Sequence, residues 1–385
     1  MSYLFPNYQR KDIQWVKGEK STLTDQKGQN YLDFTSGIGV MNLGYNDSEL
    51  NQVLAEQAAQ LWHAPNLYES QLQEKTAEQL AKGKDYVAYF CNSGAEANEA
   101  AIKLARKATG RSKILSFTNS FHGRTYGAMS ATGQTSIQEG FHPLVPDFDY
   151  LPFNDDSSLV QQIDQQTAAV LLELVQGEGG VIPADQQWVK KIEQLCHENG
   201  ALLIIDEIQT GIGRTGTFYA YEQYQIEPDI FTLAKGLGNG FPVGAMLGKS
   251  ALAEAFGPGS HGSTFGGNNL AMQVASKVVD RINTPNFLLD VQKKGDRLSK
   301  ELHQLAEKSS LVKEVRGKGL MLGIELIDQE TLIWAMDQLK IEGLITLKAG
   351  QTVLRLLPPL IITEEEITQA VEQLEKVLCK EQIND

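Results

Sequence analysis

One lysine lies between a short apolar run and a turn with three glycines, in the stretch Phe231-Thr-Leu-Ala-Lys235-Gly-Leu-Gly-Asn-Gly240. A strand end followed by flexible backbone can present an amine to a dry pocket. Loss of hydration there lowers the pKa of the amine below the value of about 10.4 of a free lysine. Such an amine forms Schiff bases with carbonyl compounds. Taken alone, the stretch favours a surface lysine in a glycine loop. A catalytic role for Lys235 therefore needs support from other parts of the chain.

Two further strand-like runs end in groups that could bind a ligand. The run Ala201–Asp206 ends in a carboxylate, and ligands of open α/β sheets collect at the carboxyl ends of strands. An aspartate that caps the following turn is the alternative. The run Tyr86–Cys91 precedes Asn92-Ser-Gly-Ala-Glu-Ala-Asn98 and a helical pattern. Strand, tight turn and helix direct free backbone N–H groups at a phosphate, although Ser93 and Glu96 could equally serve as helix caps alone.

A third run, Ile114–Phe117, leads into Asn119-Ser-Phe-His-Gly-Arg-Thr125. An aromatic ring and an arginine after a strand can form a ring platform beside a carboxylate-binding fork. The alternative is that Phe121 belongs to the core and Arg124 is a surface ion. His122, His142 and Cys91 are interpreted as structural residues.

The elements that position these groups alternate between helical patterns and short apolar runs. This alternation predicts an α/β fold with a mostly parallel sheet. Helical and strand-like patterns in the last hundred residues predict a separate α+β lobe. Ser70 with Gln73, and Thr363 with Glu366, match capping boxes at two helix starts.

Composition limits the function further. The 385 residues carry a formal charge of −14, which argues against general nucleic-acid binding. The three cysteines are widely spaced and form neither a disulfide framework nor a metal motif, as is usual in a reducing cytoplasm. The first residues lack a signal-peptide pattern, and no run of about 18 apolar residues predicts a membrane span. We therefore expect a cytoplasmic protein without a metal site.

Two glycine-rich stretches resemble nucleotide-binding motifs. Gly211-Ile-Gly-Arg-Thr-Gly216 matches the dinucleotide fingerprint, but the residues after it show no helical face. Gly244-Ala-Met-Leu-Gly-Lys-Ser250 is one residue short of a Walker A loop, and the phosphate-wrapping turn depends on that spacing. A nicotinamide oxidoreductase that uses Gly211–Gly216 remains an alternative, as does a ligand-binding protein without catalytic activity.

As a set, six motifs resemble those of the class III (ω-amino acid) aminotransferases over nearly the whole chain. The motifs are Asn92-Ser-Gly-Ala-Glu-Ala-Asn98, Phe121-His-Gly-Arg-Thr125, Gln176-Gly-Glu-Gly-Gly180, Asp206-Glu-Ile-Gln209, Leu233-Ala-Lys-Gly236 and His261-Gly-Ser-Thr-Phe-Gly-Gly-Asn268. The resemblance implies the fold type I of pyridoxal-phosphate-dependent transferases. It also implies a large cofactor-binding domain over residues 47–275 and a small domain made of residues 1–46 and 276–385.

The resemblance implies a role for each of a set of residues around pyridoxal 5'-phosphate. Lys235 would bind the cofactor aldehyde and move the substrate proton, and Asp206 would face the pyridine nitrogen. The remaining contacts would be Gln209 with the phenolic oxygen, Phe121 with the ring face, Gly94 and Ala95 with the phosphate through their N–H groups, and Thr264 with the phosphate of the second subunit of a homodimer. Relatives often have threonine where this chain has Ala95, which removes a hydroxyl.

The same resemblance assigns the substrate contacts. Arg124 would bind the α-carboxylate of N2-acetylornithine and then the distal carboxylate of 2-oxoglutarate. Arg355 would bind the α-carboxylate of glutamate or 2-oxoglutarate, with Glu178 as a gate that pairs with it at other times. An ordinary ion pair between Arg355 and Glu178 is the alternative. Ser263 would touch the acyl group, and Ile38 replaces a tyrosine that handles a free α-amine in ornithine-specific relatives.

The implied reaction transfers the terminal amino group of N2-acetylornithine to 2-oxoglutarate. Succinylornithine, 4-aminobutyrate or ornithine as the donor are alternatives within the same class.

Overall fold

Strands and helices alternate along most of the chain in the computed structural model, which describes residues 3–379. The strands in this range are β1 Trp15–Glu19, β2 Thr22–Asp25, β3 Asn30–Asp33, β4 Tyr86–Cys91, β5 Lys113–Phe117, β6 Phe148–Leu151, β7 Thr167–Glu173, β8 Val175–Gln176, β9 Ile182–Pro183, β10 Leu202–Asp206, β11 Ile230–Leu233, β12 Gly244–Lys249, β13 Val312–Lys318, β14 Met321–Leu326, β15 Leu344–Ile345, β16 Leu347–Ala349 and β17 Val353–Leu356. The helices in the same range are α1 Ser36–Gly39, α2 Ser48–Ala58, α3 Gln71–Ala81, α4 Gly94–Thr109, α5 Tyr126–Ala131, α6 Thr135–Gln138, α7 Leu159–Gln162, α8 Gln186–Asn199, α9 Tyr221–Tyr224, α10 Asn269–Ile282, α11 Pro285–Lys308, α12 Gln329–Ile341 and α13 Glu364–Leu378.

The central sheet has the strand order β4-β12-β11-β10-β7-β5-β6 within the described residues. β12 is antiparallel to both of its neighbours, and the remaining pairs are parallel. The predicted mostly parallel sheet is therefore confirmed. Because β12 is reversed between them, β4 and β11 point the same way. The carboxyl ends of β4, β5, β7, β10 and β11 consequently meet at one edge of the sheet.

Helices cover both faces of this sheet, as an almost uniformly apolar set of strands requires. Every residue of β7 is buried. Ala169 and Leu171 pack in the cluster that contains the apolar face of α4, whereas Val170 and Leu172 pack with α8 on the other side. This alternation follows from the two-residue period of a strand. It determines the face of the sheet from which each polar side chain at the strand ends projects.

Two smaller sheets come from the two ends of the described chain. One has the order β1-β2-β3-β15, and the other has the order β13-β14-β17-β16. The pairing of β3 with β15 is parallel and joins residues 32–33 to residues 344–345. The boundary expected between residues 275 and 276 lies inside α10, which continues to Ile282. We propose that the small domain begins at the turn of residues 283–284 instead.

The two predicted capping boxes differ in outcome. At α13 both halves form, because Thr363 accepts from the Glu366 N–H and Glu366 accepts from the Thr363 N–H. At α3 Ser70 accepts from the Gln73 N–H, but the Gln73 side chain donates to Asn66 and Gly267 instead of returning to Ser70. The second half of that prediction is therefore wrong, since a tertiary contact uses the glutamine.

Neither nucleotide-like motif forms a phosphate loop. The residues that resemble a Walker A loop are strand β12, paired on both sides. Gly211–Gly216 is followed by the four-residue helix α9, which is too short to open a dinucleotide-binding unit. Among the helices in residues 3–379, none is long and apolar enough to cross a membrane.

Candidate active site

A cavity of about 430 Å³ lies where the carboxyl ends of the central strands meet. This volume is in the range of small-molecule sites, which is about 300–1,000 Å³. Its lining combines titratable side chains with apolar walls and is formed by Val40, Asn92, Ser93, Gly94, Ala95, Phe121, His122, Gly123, Arg124, Glu173, Glu178, Asp206, Ile208, Gln209, Ala234, Lys235, Gly240, Phe241, Pro242 and Val243. The groups predicted on separate strand ends are thus collected in one place.

Lys235 follows β11 and begins a single 3₁₀ turn with a backbone φ of +43°. Left-handed backbone at a non-glycine residue costs free energy and is concentrated at functional sites. Gly236 follows it, and a Cβ on Gly236 would lie 2.2 Å from the amide nitrogen of Asn42. Within residues 3–379 the Lys235 amine has no hydrogen bond or ion pair. Burial lowers its pKa, which favours the neutral, nucleophilic form.

Asp206 is held in place by three donors. Its Oδ2 accepts from Asn98 Nδ2 and from His122 Nδ1, each at 2.8 Å, and its Oδ1 accepts from the Ile208 N–H at 3.0 Å. Asn98 in turn accepts from the Thr232 hydroxyl on the neighbouring strand. A carboxylate fixed by this many donors keeps its orientation when a ligand enters.

His122 and Asn98 bind Asp206 but were not predicted as site residues. His122 was interpreted as structural, but it lines the cavity and is bound to Asp206. Its Nε2 is buried without a partner in the described part of the chain. The sequence signal was weak, because the histidine and the aspartate are 84 positions apart. Its place between Phe121 and Gly123 in the motif was the available clue.

Glu173 is a second buried carboxylate at the cavity. Its two oxygens accept from the Phe121 N–H at 2.9 Å and from the Gly177 N–H at 3.2 Å. Burial raises its pKa to about 7, and the Asp206 charge adds to this while His122 opposes it. Glu173 therefore ties the backbone under the aromatic ring to the loop that carries Glu178.

The first turn of α4 provides an anion site. Ser93 accepts from the Glu96 N–H and caps the helix, as one alternative predicted. The N–H groups of Gly94 and Ala95 keep no acceptor within residues 3–379, because the first N–H groups of a helix lack intrahelical partners. Free N–H groups at a helix N-terminus bind anions, so capping and phosphate binding are compatible here. Gly123 allows the close approach, since a Cβ there would lie 2.8 Å from the Ala95 Cβ.

Three charged or polar groups form a hydrogen-bonded cluster at one part of the Lys235 cavity lining. Arg355 Nη1 donates to Glu178 Oε1 at 2.7 Å and to Gln209 Oε1 at 3.2 Å. Arg355 is on β17 and its side chain is only 3% exposed, whereas the Glu178 side chain is 33% exposed. Burial raises the pKa of Glu178, but the charge and hydrogen bond of Arg355 more than offset this and hold the pKa below its ordinary value. Glu178 is therefore ionised near neutral pH.

Phe121 and Arg124 lie at the cavity opening. The guanidinium carbon of Arg124 is 5.9 Å from the centroid of the Phe121 ring. Arg124 is exposed and has no ion pair among the described residues. A free guanidinium beside an aromatic ring can bind a ligand carboxylate with two hydrogen bonds.

Four predicted residues are not part of the cavity lining, namely Ser263, Thr264, Ile38 and Arg355, the last of which contacts the lining residues Glu178 and Gln209. Ser263 and Thr264 line a different groove, beside Asn66 and Gln73. Ser263 Oγ accepts from Asn92 Nδ2 at 3.2 Å, so it lies one residue away from the cavity lining. Ile38 is 46% exposed in the turn before Val40 and has a φ of +70°. A β-branched residue rarely adopts that conformation.

The polar groups of the cavity match a phosphorylated heteroaromatic aldehyde. Free N–H groups at the start of α4 suit a phosphate, and the amine of Lys235 suits an aldehyde. Asp206 suits a protonated ring nitrogen, and the Nε2 of Gln209, without an acceptor in residues 3–379, suits a phenolic oxygen. The residues present therefore fit pyridoxal phosphate.

The sequence model of the family described as aminotransferase class-III matches residues 5–378. The chain belongs to this family. Among the curated class-III relatives, the acetylornithine aminotransferase of Streptococcus mutans is 54% identical over 378 residues, covering 98% of this chain and 99% of the relative. The acetylornithine aminotransferase of Bacillus cereus is 51% identical over 385 residues, covering 100% and 99%.

Solved structures of aminotransferases share the fold. An N-acetylornithine aminotransferase from Stenotrophomonas maltophilia is 36% identical, with a TM-score of 0.83 and coverage of 96% of both chains. An ornithine aminotransferase from Toxoplasma gondii, reported with partial occupancy of PLP at its active site, is 30% identical with a TM-score of 0.92. It covers 98% of this chain and 92% of its own. The predicted fold of the class-III aminotransferases is confirmed.

Glu207, next to Asp206, yields a prediction about pH. It is buried and accepts from the Thr210 hydroxyl and the Tyr221 N–H, and burial raises its pKa from 4.5 to about 7. Between these values the folded protein holds a proton that the unfolded chain releases, so stability falls as pH rises. The loss is complete above pH 7 and amounts to roughly 3 kcal/mol. A glutamine can keep both contacts without a charge.

We therefore expect Glu207→Gln to raise the thermal midpoint relative to the wild type by more at pH 8 than at pH 5. Differential scanning fluorimetry at both pH values measures this gap, which is the difference in thermal midpoint between the variant and the wild type. Glu74→Gln, on the exposed side of α3, is the matched control and should give the same gap at both pH values. A gap for Glu207→Gln that does not change with pH would contradict the prediction.

Proposed function

We propose that the chain is an acetylornithine aminotransferase that uses pyridoxal 5'-phosphate. It transfers the terminal amino group of N2-acetyl-L-ornithine to 2-oxoglutarate and forms N-acetyl-L-glutamate 5-semialdehyde and L-glutamate, a reaction of arginine biosynthesis. The observation that carries the proposal is a pair of arginines: Arg124 lines the Lys235 cavity without an ion pair among the described residues, and Arg355 is bound to the lining residues Glu178 and Gln209. The names of the relatives at about 50% identity support the choice of donor.

Two arginines suit a reaction of two amino compounds, N2-acetylornithine and glutamate, whose carboxylates lie at different distances from the reacting amine. The donor has one carboxylate, remote from its reacting amine, and Arg124 at the cavity opening binds it. Arg355 then has no substrate carboxylate to bind and stays paired with Glu178, as in the structure. Glutamate brings a second carboxylate next to its amine, which takes the place of Glu178 on Arg355. A buried arginine without a carboxylate partner would cost free energy. The exchange of Glu178 for the substrate carboxylate keeps Arg355 paired in both half-reactions.

The residues around Lys235 divide the remaining work. Pyridoxal phosphate, when bound, supplies an electron sink for the substrate carbon. Asp206, fixed by His122 and Asn98, holds a proton on the ring nitrogen. The Nζ of Lys235 takes the proton from the substrate carbon, and its lowered pKa makes the neutral base available. The apolar walls at Val40, Ile208 and Phe241 exclude water.

We propose a homodimer in which Thr264 reaches the phosphate site of the second subunit. Thr264 is exposed and lies outside the Lys235 cavity of its own chain. Large apolar side chains around the same groove are exposed, and such patches mark interfaces. These side chains are Leu61, Trp62, Leu67, Tyr68 and Phe265.

The alanine at position 95 yields a second prediction. Ala95 is the second residue of α4 and lines the cavity, where a threonine would add a hydroxyl donor beside the free N–H groups. We expect Ala95→Thr to release pyridoxal phosphate about tenfold more slowly, since a hydrogen bond to a charged group contributes about 1.5–3 kcal/mol. Cofactor absorbance after timed dialysis measures the release. Ala95→Val, which has the same shape without the hydroxyl, is the control, and equal release from Ala95→Thr and wild type would contradict the prediction.

Steady-state assays with four amino donors test the proposed function. The donors are N2-acetylornithine, N2-succinylornithine, 4-aminobutyrate and ornithine, each with 2-oxoglutarate. We expect the highest kcat/KM for N2-acetylornithine and a low value for ornithine. A much higher kcat/KM for 4-aminobutyrate would overturn the choice of donor while leaving the transamination intact. A colourless purified protein without activity on any donor would overturn the aminotransferase proposal itself.

A further inference from the structure

The loop Gln176–Gly180, which carries Glu178, is fixed by its backbone on both sides. Gly177 donates to Glu173 Oε2 at 3.2 Å, from the central sheet. The carbonyl oxygen of Glu178 accepts from the Gly350 N–H at 2.8 Å, from the turn between β16 and β17. The carbonyl oxygen of Gly180 accepts from Arg316 Nε at 2.9 Å, from β13. One carboxylate and two small-domain donors therefore hold the loop.

The loop is also closely packed at its glycines. A Cβ on Gly177 would lie 2.5 Å from the Gln209 side chain, and a Cβ on Gly179 would lie 2.7 Å from the Asn119 carbonyl oxygen. Gly180 has a φ of +121°, which a side chain would strain. With its backbone bound and packed in this way, the loop leaves the half-exposed side chain of Glu178 as its movable part.

Arg316 and Arg355 are aligned across the small-domain sheet. In the register of β13, β14 and β17, Arg316 is opposite Gly323 and Gly323 is opposite Arg355. Directly opposed residues have their side chains on the same face of a sheet. The glycine between the two arginines leaves space for Val181, since a Cβ on Gly323 would lie 2.9 Å from the Val181 Cβ. One face of this sheet thus holds the loop twice, through Arg355 at the Glu178 side chain and through Arg316 at the Gly180 backbone.

The charge on Arg316 is balanced within its own sheet. Its Nη1 is paired with Glu314 of β13 at 2.6 Å and also with Glu325 of β14. The guanidinium is therefore fixed, and its Nε–H is directed at the loop. A lysine at this position could keep both ion pairs, but it has no second nitrogen on the chain to reach the Gly180 carbonyl oxygen.

We propose that Arg316 is a positioning residue that sets the choice between the two kinds of amino donor. By clamping the Gln176–Gly180 backbone, it keeps the Glu178 carboxylate in register with Arg355. The proposal rests on the proposed function, because it assumes that Glu178 and a substrate carboxylate compete for Arg355. Loosening the clamp weakens the Glu178–Arg355 pair, which harms the donor that relies on it. Glutamate displaces Glu178 in any case, so its half of the reaction is spared.

Arg316→Lys tests the proposal through the ratio of two half-reactions. Single-turnover changes in cofactor absorbance give kcat/KM for N2-acetylornithine and, separately, for L-glutamate. We expect the first to fall about tenfold and the second to stay within twofold, as the loss of one hydrogen bond to a charged group predicts. Arg316→Gln, which also removes the charge, is the second variant and should shift the ratio in the same direction.

Arg297→Lys is the matched control. Arg297 also pairs with two glutamates, Glu301 and Glu364, and donates to a carbonyl oxygen, but it does not touch the loop. It should leave both half-reactions unchanged. Equal losses in both half-reactions of Arg316→Lys, or no loss in either, would overturn the clamp. If the wild type reacts with another terminal amine instead of N2-acetylornithine, the donor assignment fails, and the same ratio measured with that amine still decides the clamp.

Discussion

Replacing Lys235 with alanine is expected to reduce transamination by about 10⁴-fold or more, the largest effect of any single change. In the proposed reaction the amine would bind the cofactor aldehyde, and it would also be the base that moves the substrate proton. Removing it deletes a covalent contact and a general base together, and the second alone contributes about 10²–10⁴-fold. Burial lowers the pKa of this amine, which favours the neutral form that reacts with an aldehyde.

The test combines rates with a chemical label. Borohydride reduction of the wild-type protein loaded with pyridoxal phosphate should fix the chromophore on the peptide that contains Lys235, which mass spectrometry of the digest would detect. Lys300→Ala, on the exposed side of α11, is the control and should keep full activity and the label. Full activity in Lys235→Ala, or a label on a different lysine, would refute the assignment.

Asp206→Asn is expected to lower kcat by about 10²–10³-fold, with a smaller change in KM. The substitution removes the negative charge that would keep the ring nitrogen protonated, and electrostatic contributions of this kind are among the largest in catalysis. It also introduces a donor where Oδ1 and Oδ2 both accept, from the Ile208 N–H and from Asn98 and His122. One of these hydrogen bonds must be lost, so a moderate loss of stability should accompany the loss of rate.

Asp229→Asn separates the two effects. Asp229 is a buried aspartate on the same sheet that accepts from Lys249 and from the Leu203 N–H, but it precedes β11 and lies at the amino edge. It should lower the thermal midpoint and leave kcat unchanged. Equal losses of kcat in the two variants would mean that Asp206 acts through stability alone. Absorbance of the bound cofactor across pH gives an independent readout, which should change for Asp206→Asn and not for Asp229→Asn.

Much of the fold could be predicted because the central strands are short apolar runs bounded by glycine and polar turns. Asp206 and Lys235 follow such runs, and the structure brings both to one cavity. Strands in which buried and exposed residues are mixed were not predicted from the sequence. β13 reads Val-Lys-Glu-Val-Arg-Gly-Lys, lies at the edge of its sheet and lacks apolar alternation, so the role of Arg316 could not be seen. The hairpin β1–β2 was missed for the same reason.

The parts of the site that sequence could not provide are contacts between distant positions. The bond between His122 and Asp206 spans 84 positions, and the bond between Glu178 and Arg355 spans 177. Neither leaves a local pattern, because only the closing of the sheet and the docking of the small domain bring the partners together. The motifs could suggest that these residues matter, but the distances needed the fold.

The parallel pair of β3 with β15 has a consequence for how the chain matures. The partners are residues 32–33 and 344–345, so the sheet that contains the amino-terminal hairpin is completed late in synthesis. All strands of the central sheet, up to Lys249, have been made by then. Long-range pairing of this kind is slow to form, because a large loop must close first. A nascent chain would therefore contain Lys235 and the strands of the central sheet before Arg355 has been made.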